Sequence, residues 1–156
     1  MSNYPEHEVR AVYERYVETR NRIDRGELGW DALAEFFTED AVFIDPAWGR
    51  MEGLEAIRAF LIGSMAGLDD WSFPHQWTMV DGNRVVTMWM NRLGGQREDG
   101  SYYEAPGISI LEYAGEGKFS YELDLLNMVH VGELIQESGW KPPESCNAPP
   151  AHPRRW

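Results

Sequence analysis

Asp45 stands immediately before Pro46, at the end of the short apolar run Ala41-Val42-Phe43-Ile44. Strand alternation puts it on one face with Ala41 and Phe43. If that face borders an aromatic cavity, loss of water raises the carboxylate pKa towards a value suited to proton abstraction. Turned the other way, the same side chain caps the Pro46 turn or the next helix. Tyr16 lies on the apolar stripe of a first helix, beside Tyr13, either as a donor into a pocket or as a core phenol bonded to a backbone carbonyl. His75 alternates with Phe73, Trp77 and Met79, and an imidazole titrates near neutral pH. It is either a general acid or base or a satisfied structural group. Asp45, His75 and Tyr16 are therefore the catalytic candidates, and the chemistry they share is proton transfer.

Around them stand residues able to hold a ligand. One strand divides into Val85, Thr87, Trp89, Asn91 and Val86, Met88, Met90, Arg92, one set for each face. Trp89 and Asn91 would give an apolar wall with one hydrogen-bonding group; Met88 and Met90 would give an adaptable one. Asp124, flanked by Leu123, Leu125 and Leu126 and on one strand face with Glu122, is a candidate partner for His75 or Arg92, or else a solvated or interface carboxylate. Trp30 and Trp48 sit near the expected mouth, Trp77 on the His75 strand, and Tyr102 and Tyr103 on opposite faces of theirs. Nucleophilic catalysis has little support: there is no Gly-x-Ser-x-Gly elbow and no glycine-rich phosphate loop. His7, His75, His130 and His152 are dispersed without metal-ligand spacing, so neither metal nor cofactor is expected.

Three helices must position these groups. Val9, Val12, Tyr13, Tyr16 and Val17 give a buried stripe over Pro5 to Asp24, closed by Gly26 and Gly29. A short helix spans Trp30 to Phe37, and a third spans Leu54 to Met65 after Gly53. The rest reads as strands: Ala41 to Asp45; Trp71 to Val80, with Pro74 marking an edge or bulge; Arg84 to Leu93 after the Asp81-Gly82-Asn83 turn; Tyr102 to Tyr113; and Phe119 to Val129. Gly94-Gly95 opens a polar loop through Gly100. Residues 1–139 form one expected domain. Residues 140–156 hold five of the nine prolines and form an extended tail, which wraps its own domain, wraps a neighbouring subunit or moves freely.

The 156 residues suit a single core. Fourteen Lys and Arg against 26 Asp and Glu give a net charge of −12, which speaks against nucleic acid and anionic membrane surfaces as partners. No apolar run reaches the roughly 20 residues of a membrane-spanning helix, and the first ten residues lack an apolar signal core. The lone Cys146 forms no internal disulfide, so a reducing cytoplasm is expected.

Helices followed by long meandering strands imply an α+β fold, with helices on one face of a curved antiparallel sheet. The stretch Phe36-Phe37-Thr38-Glu39-Asp40-Ala41-Val42-Phe43-Ile44-Asp45-Pro46, followed by Gly53-Leu54-Glu55-Ala56-Ile57-Arg58, resembles the nuclear transport factor 2-like superfamily, in its SnoaL-like and ketosteroid-isomerase-like branch. The resemblance covers roughly residues 5 to 135. It implies a cone-shaped curved sheet wrapped around N-terminal helices, a cystatin-like roll. It also implies Asp45 as general base and Tyr16 as donor to a developing oxyanion. A second acidic donor of ketosteroid isomerases falls at Ser109, which can donate a hydrogen bond without a carboxyl's acidity. The charged Arg-x-Asp strand of epoxide-hydrolase-like members is replaced by Met88-Trp89-Met90, while dehydratase-like members pair an acid with histidine and tyrosines, roles open to His75 and the tyrosines here. The implied function is a cofactor-independent lyase, dehydratase or isomerase acting on a hydrophobic ring-containing molecule such as a steroid, polyketide or lignin-derived aromatic. The alternative is a non-catalytic ligand-binding or assembly module, like a dioxygenase small subunit. Family analogy also implies a homodimer.

Overall fold

The first helix, α1 (Glu6–Asp24), exists because its apolar positions recur at helical spacing and its acidic residues Glu6 and Glu8 sit at the positive end of the helix dipole. It buries Val9, Val12, Tyr13, Tyr16 and Ile23, and a 3-10 turn follows over Trp30–Phe36. The computed structural model describes residues 3–151 and 156.

Six strands form one sheet: β1 (Phe37–Asp45), β2 (Gly49–Glu52), β3 (His75–Asp81), β4 (Arg84–Gln96), β5 (Tyr102–Gly115) and β6 (Lys118–Leu126). Their order is β2-β1-β6-β5-β4-β3, antiparallel throughout except for the parallel pair β1 and β6. The sheet curves without closing, and α1 and α2 (Leu54–Met65) pack on its concave face. Tyr13 stacks on Tyr16 at 5.5 Å, and both meet Phe119 edge-on at 6.3 and 6.2 Å. Burial of each such ring contributes ~1.5–3 kcal/mol relative to exposure.

Several elements depart from the sequence expectations. β1 begins four residues earlier than expected, because Phe37 pairs beside Phe119 before the register shifts. β2 was not anticipated; it is a four-residue return that pairs Asp45 with Gly49. β4 runs through Gly94 and Gly95 to Gln96, so the polar loop is shorter. The segment expected to end β6 at Val129 instead turns at Asn127, whose side chain accepts from the His130 N–H at 3.2 Å and starts α3 (Met128–Ser138). Val131 and Leu134 then bury against Leu93 and Ala105 in a second small core. β3 begins only at His75. Before it, Ser72 makes a lone bridge to Arg92, and Pro74 has no N–H for the ladder.

No helix among the described residues is long and apolar enough to cross a membrane. The expectation for His152 falls outside the described residues.

Candidate active site

Between α1, α2 and the inner face of the sheet lies a cavity of about 600 Å³. β1 brings Phe43 and Asp45, α1 brings Tyr16 and Arg20, β4 brings Trp89 and Asn91, and β6 brings Glu122 and Asp124. Trp30, Trp48, Phe60 and Phe73 complete an aromatic wall. Within it, Trp30 meets Phe73 edge-on at 5.7 Å, and Phe73 meets Trp89 at 5.9 Å. Trp89 lies flat because Gly107 opposes it on β5: a Cβ there would stand 2.5 Å from the indole. The Val85, Thr87, Trp89, Asn91 set thus faces inwards, which the alternation alone left open.

Residues 140–149 cross the mouth. Trp140 donates from Nε1 to Asp70 at 3.2 Å and packs edge-on against Trp71; Asn147 donates to the Gly63 carbonyl at 2.8 Å. Cys146 Sγ lies 2.7 Å from where a Gly67 Cβ would be, and the φ of +81° at Gly67 also favours glycine. Of the arrangements open to the tail, the described part covers its own cavity.

The electrostatics centre on two neighbouring carboxyls. Burial, reinforced by the negative charge of Asp124, holds Glu122 well above the ordinary carboxyl range and so favours its protonated form. Tyr16 donates to it, with the hydroxyl 2.9 and 3.2 Å from the two oxygens. The protonated Glu122 in turn donates to Asp124, a bond that stabilises the ionised form of Asp124. Ser109 donates to Asp124 Oδ1 at 2.5 Å and accepts from Trp89 Nε1 at 2.8 Å. Burial still pushes Asp124 up to about 7, with Asp45 adding to the rise and Arg20 opposing it. Asp45 is also raised by burial, against the lowering effect of two backbone bonds. Its Oδ1 accepts from the Trp48 and Ala47 N–H groups, both at 2.8 Å, which leaves Oδ2 outside these two bonds, and the residue lines the cavity. The two alternatives for Asp45 are therefore met together: one oxygen caps the Pro46 turn while the residue lines the chamber.

Other sequence candidates lie elsewhere. His75 is outside the cavity, in a separate recess between α1 and β3 with Tyr13 and Glu14, and its Nε2 is 2.7 Å from Thr78 Oγ1. A register shift between His75 and Trp77 breaks the expected alternation. It leaves Phe73 among the cavity residues and puts Trp77 42% exposed beside Met88 on the convex face. Tyr103 packs on the α3 core with Arg97 over its ring, away from the chamber. Ser109 does not border the cavity and acts behind Asp124. Asp124 pairs with neither His75 nor Arg92, and Arg92 binds Glu104 at 2.7 Å. Tyr16 reaches the cavity, but its hydroxyl is engaged by Glu122.

Two functional groups were not singled out from sequence. Glu122 shares the alternating face of Asp124, and Arg20 follows Tyr16 by one helical turn, so both signals were present. Among the described residues, no cluster of His, Cys, Asp or Glu is arranged to hold a metal ion.

A family model for the SnoaL-like domain matches residues 10–121. The chain belongs to the SnoaL-like domain family. It therefore falls in the nuclear transport factor 2-like superfamily, whose curved-sheet cone this SnoaL-like domain shares. A Shewanella denitrificans protein described as a SnoaL-like polyketide cyclase is 20% identical, with a TM-score of 0.64 over 83% of this chain and 97% of its own. A counterpart from Shewanella putrefaciens is 16% identical, with a TM-score of 0.66 over 86% and 88%. The epoxide hydrolase/cyclase-like enzyme SalBIII, which has a role in pyran ring formation in salinomycin, is 18% identical, with a TM-score of 0.61 over 80% and 95%. At these identities the likeness is one of fold. No curated protein matches the sequence of this SnoaL-like domain.

Proposed function

We propose that this SnoaL-like domain is a cofactor-independent lyase, dehydratase or isomerase that moves a proton on a hydrophobic ring-containing molecule. The observation that carries it is Asp124: a carboxyl pushed up to about 7, facing an aromatic cavity and fixed by Ser109 and Glu122. A base with that pKa is deprotonated often enough at neutral pH and still binds a proton firmly. Asp45, which lines the same chamber and has Oδ2 outside its two backbone bonds, is the second proton carrier. Trp30, Trp48 and Trp89 hold the rings. Tyr16 acts through Glu122 as a positioning residue. Proton abstraction next to a carbonyl leads to isomerisation, elimination or ring closure according to what the substrate carries.

The test is a panel of steroids, aromatic polyketides and diaryl compounds, scored first by thermal shift and then by product analysis. A raised Tm together with turnover of at least one ring ketone is the expected result. A raised Tm with no product from any ligand would favour a binding module.

The proposal extends to a cytoplasmic homodimer. Cross-strand register aligns Trp77, Met88, Ile108 and Leu125 in one convex row and Met79, Val86, Ile110 and Leu123 in the next. Trp77, Met79 and Leu125 are the exposed members. Covering such a stripe favours self-association. Light scattering should give twice the chain mass, and Met79→Glu with Leu125→Glu should give a folded monomer.

A further inference from the structure

The cavity's hydrogen-bonding groups are not balanced. Asp45 and Asp124 offer acceptors to it. On the β4 wall, Asn91 is 3% exposed and its Nδ2 has no hydrogen-bond partner; Nε1 of Trp71 is likewise buried and unpartnered. Both residues border the cavity. A buried donor without an acceptor is unfavourable, and in a functional pocket it marks where a ligand atom belongs.

Arg20 stands at the same wall. Its guanidinium carbon lies 5.3 Å from the Phe73 ring centroid and 5.6 Å from that of Trp89. Its hydrogen bond is a long 3.5 Å contact to the Phe73 carbonyl, although a guanidinium carries five N–H donors. Asp24, Glu122 and Asp124 act on it electrostatically, yet none of them ion-pairs with it among the described residues. Burial of Glu122 moreover disfavours its charged form. Arg20 and Asn91 converge on Phe73: the antiparallel bridge between Ser72 and Arg92 sets Phe73 across from Asn91, which lies two residues beyond Trp89 on the inner face. Two aromatic rings thus steady a cation whose donors are mostly unspent, beside an amide that lacks an acceptor.

We infer that Arg20 and Asn91 form an oxygen-binding subsite, so that the ligand is a ring compound bearing a carbonyl or carboxylate oxygen, docked there while the rings fill the aromatic wall. The inference rests on the proposed function and narrows its substrate class. In a proton transfer from the carbon next to such a carbonyl, the electron pair of the broken C–H bond moves onto that oxygen. The proton goes to a carboxylate, and the guanidinium and amide N–H groups receive the charge. The carboxylates and the donor wall then serve opposite ends of one enolisation.

The test uses 2-naphthoate and 2-acetylnaphthalene as probes of the full chain at pH 6, where Asp124 is mostly protonated and repels an anion least. Binding is read by tryptophan fluorescence, with circular dichroism as the folding check. Both probes should bind. Arg20→Gln should weaken naphthoate by about tenfold or more and the ketone by much less, because hydrogen bonds to charged groups are the stronger ones. Arg20→Lys, which keeps the charge and loses the fork, should fall between. Asn91→Leu should weaken both probes. Naphthoate affinity unchanged in Arg20→Gln, with both probes still bound, would overturn the subsite and leave the cavity intact. If Arg20→Gln does not fold, unchanged naphthoate affinity in both Arg20→Lys and Asn91→Leu overturns it equally. Failure of either probe to bind the native chain, with no ligand in the wider panel raising Tm, would remove the cavity as a ligand site and the subsite with it.

Discussion

Asp124→Asn is expected to lower kcat on the best substrate of the panel by about 10²–10⁴-fold, the usual worth of a positioned general base. The exchange preserves shape and allows the Ser109 hydroxyl to keep an oxygen acceptor, so circular dichroism and Tm should change little. What disappears is a site for the proton. The pH dependence carries a second signature. Because the carboxyl must be ionised to act, kcat/KM in the native chain should rise with pH and level off above about 7. Asp45 contributes to that elevation by its negative charge, so Asp45→Asn should move the rising limb to lower pH. In Asp124→Asn the limb itself should vanish. Native turnover in Asp124→Asn would remove this residue from the reaction.

Much of this arrangement was visible in the residues. The stripe on α1, the Gly53 start of α2 and the Asp45-Pro46 strand end are local signals, each decided within one helical turn or one strand pair, and the structure follows them. The failures come where a distant partner decides. His75 belongs to an alternating run in the sequence, but the bulge between His75 and Trp77 depends on how Pro74 meets β4, and a bulge sends the following side chains to the other face. Glu122 looked equivalent to any strand carboxylate until Tyr16, 106 residues away in the chain, was brought against it. The tail gave no periodicity to read, because its segment is held by single contacts: Trp140 to Asp70 and Asn147 to Gly63. The α3 cap at Asn127 was a legible local signal hidden by the strand-like run before it. The cavity candidates Asp45, Asp124, Trp30, Trp48, Trp89 and Asn91 share one chamber, whereas the roles of Tyr16 and Ser109 lie one contact behind it.

The raised pKa of the Glu122 carboxyl carries a thermodynamic consequence opposite to that of an ordinary ion pair. In the unfolded chain it titrates near 4.5, while in the folded chain burial keeps the proton on to a pH well above that. Folding above the unfolded value therefore takes up a proton at this site, and stability falls as pH rises from the unfolded value towards the folded one, by up to about 1.4 kcal/mol per unit. Below the unfolded value the full contribution is present. Asp124 adds in the same sense between its unfolded value and about 7. Glu122→Gln keeps the geometry: the amide oxygen accepts from Tyr16 and the amide N–H donates to Asp124, as the protonated acid does. It carries no titrating proton. The variant is thus expected to be more stable than the native chain at pH 7, and about equal to it at pH 4. Urea unfolding of both proteins from pH 4 to 8 measures the difference directly. A gap that widens with pH identifies a carboxyl held protonated beside Asp124, so that the two neighbours are not both charged. A gap that stays flat would mean that Glu122 folds ionised, and that the Asp124 pKa is set without a proton donated from its neighbour.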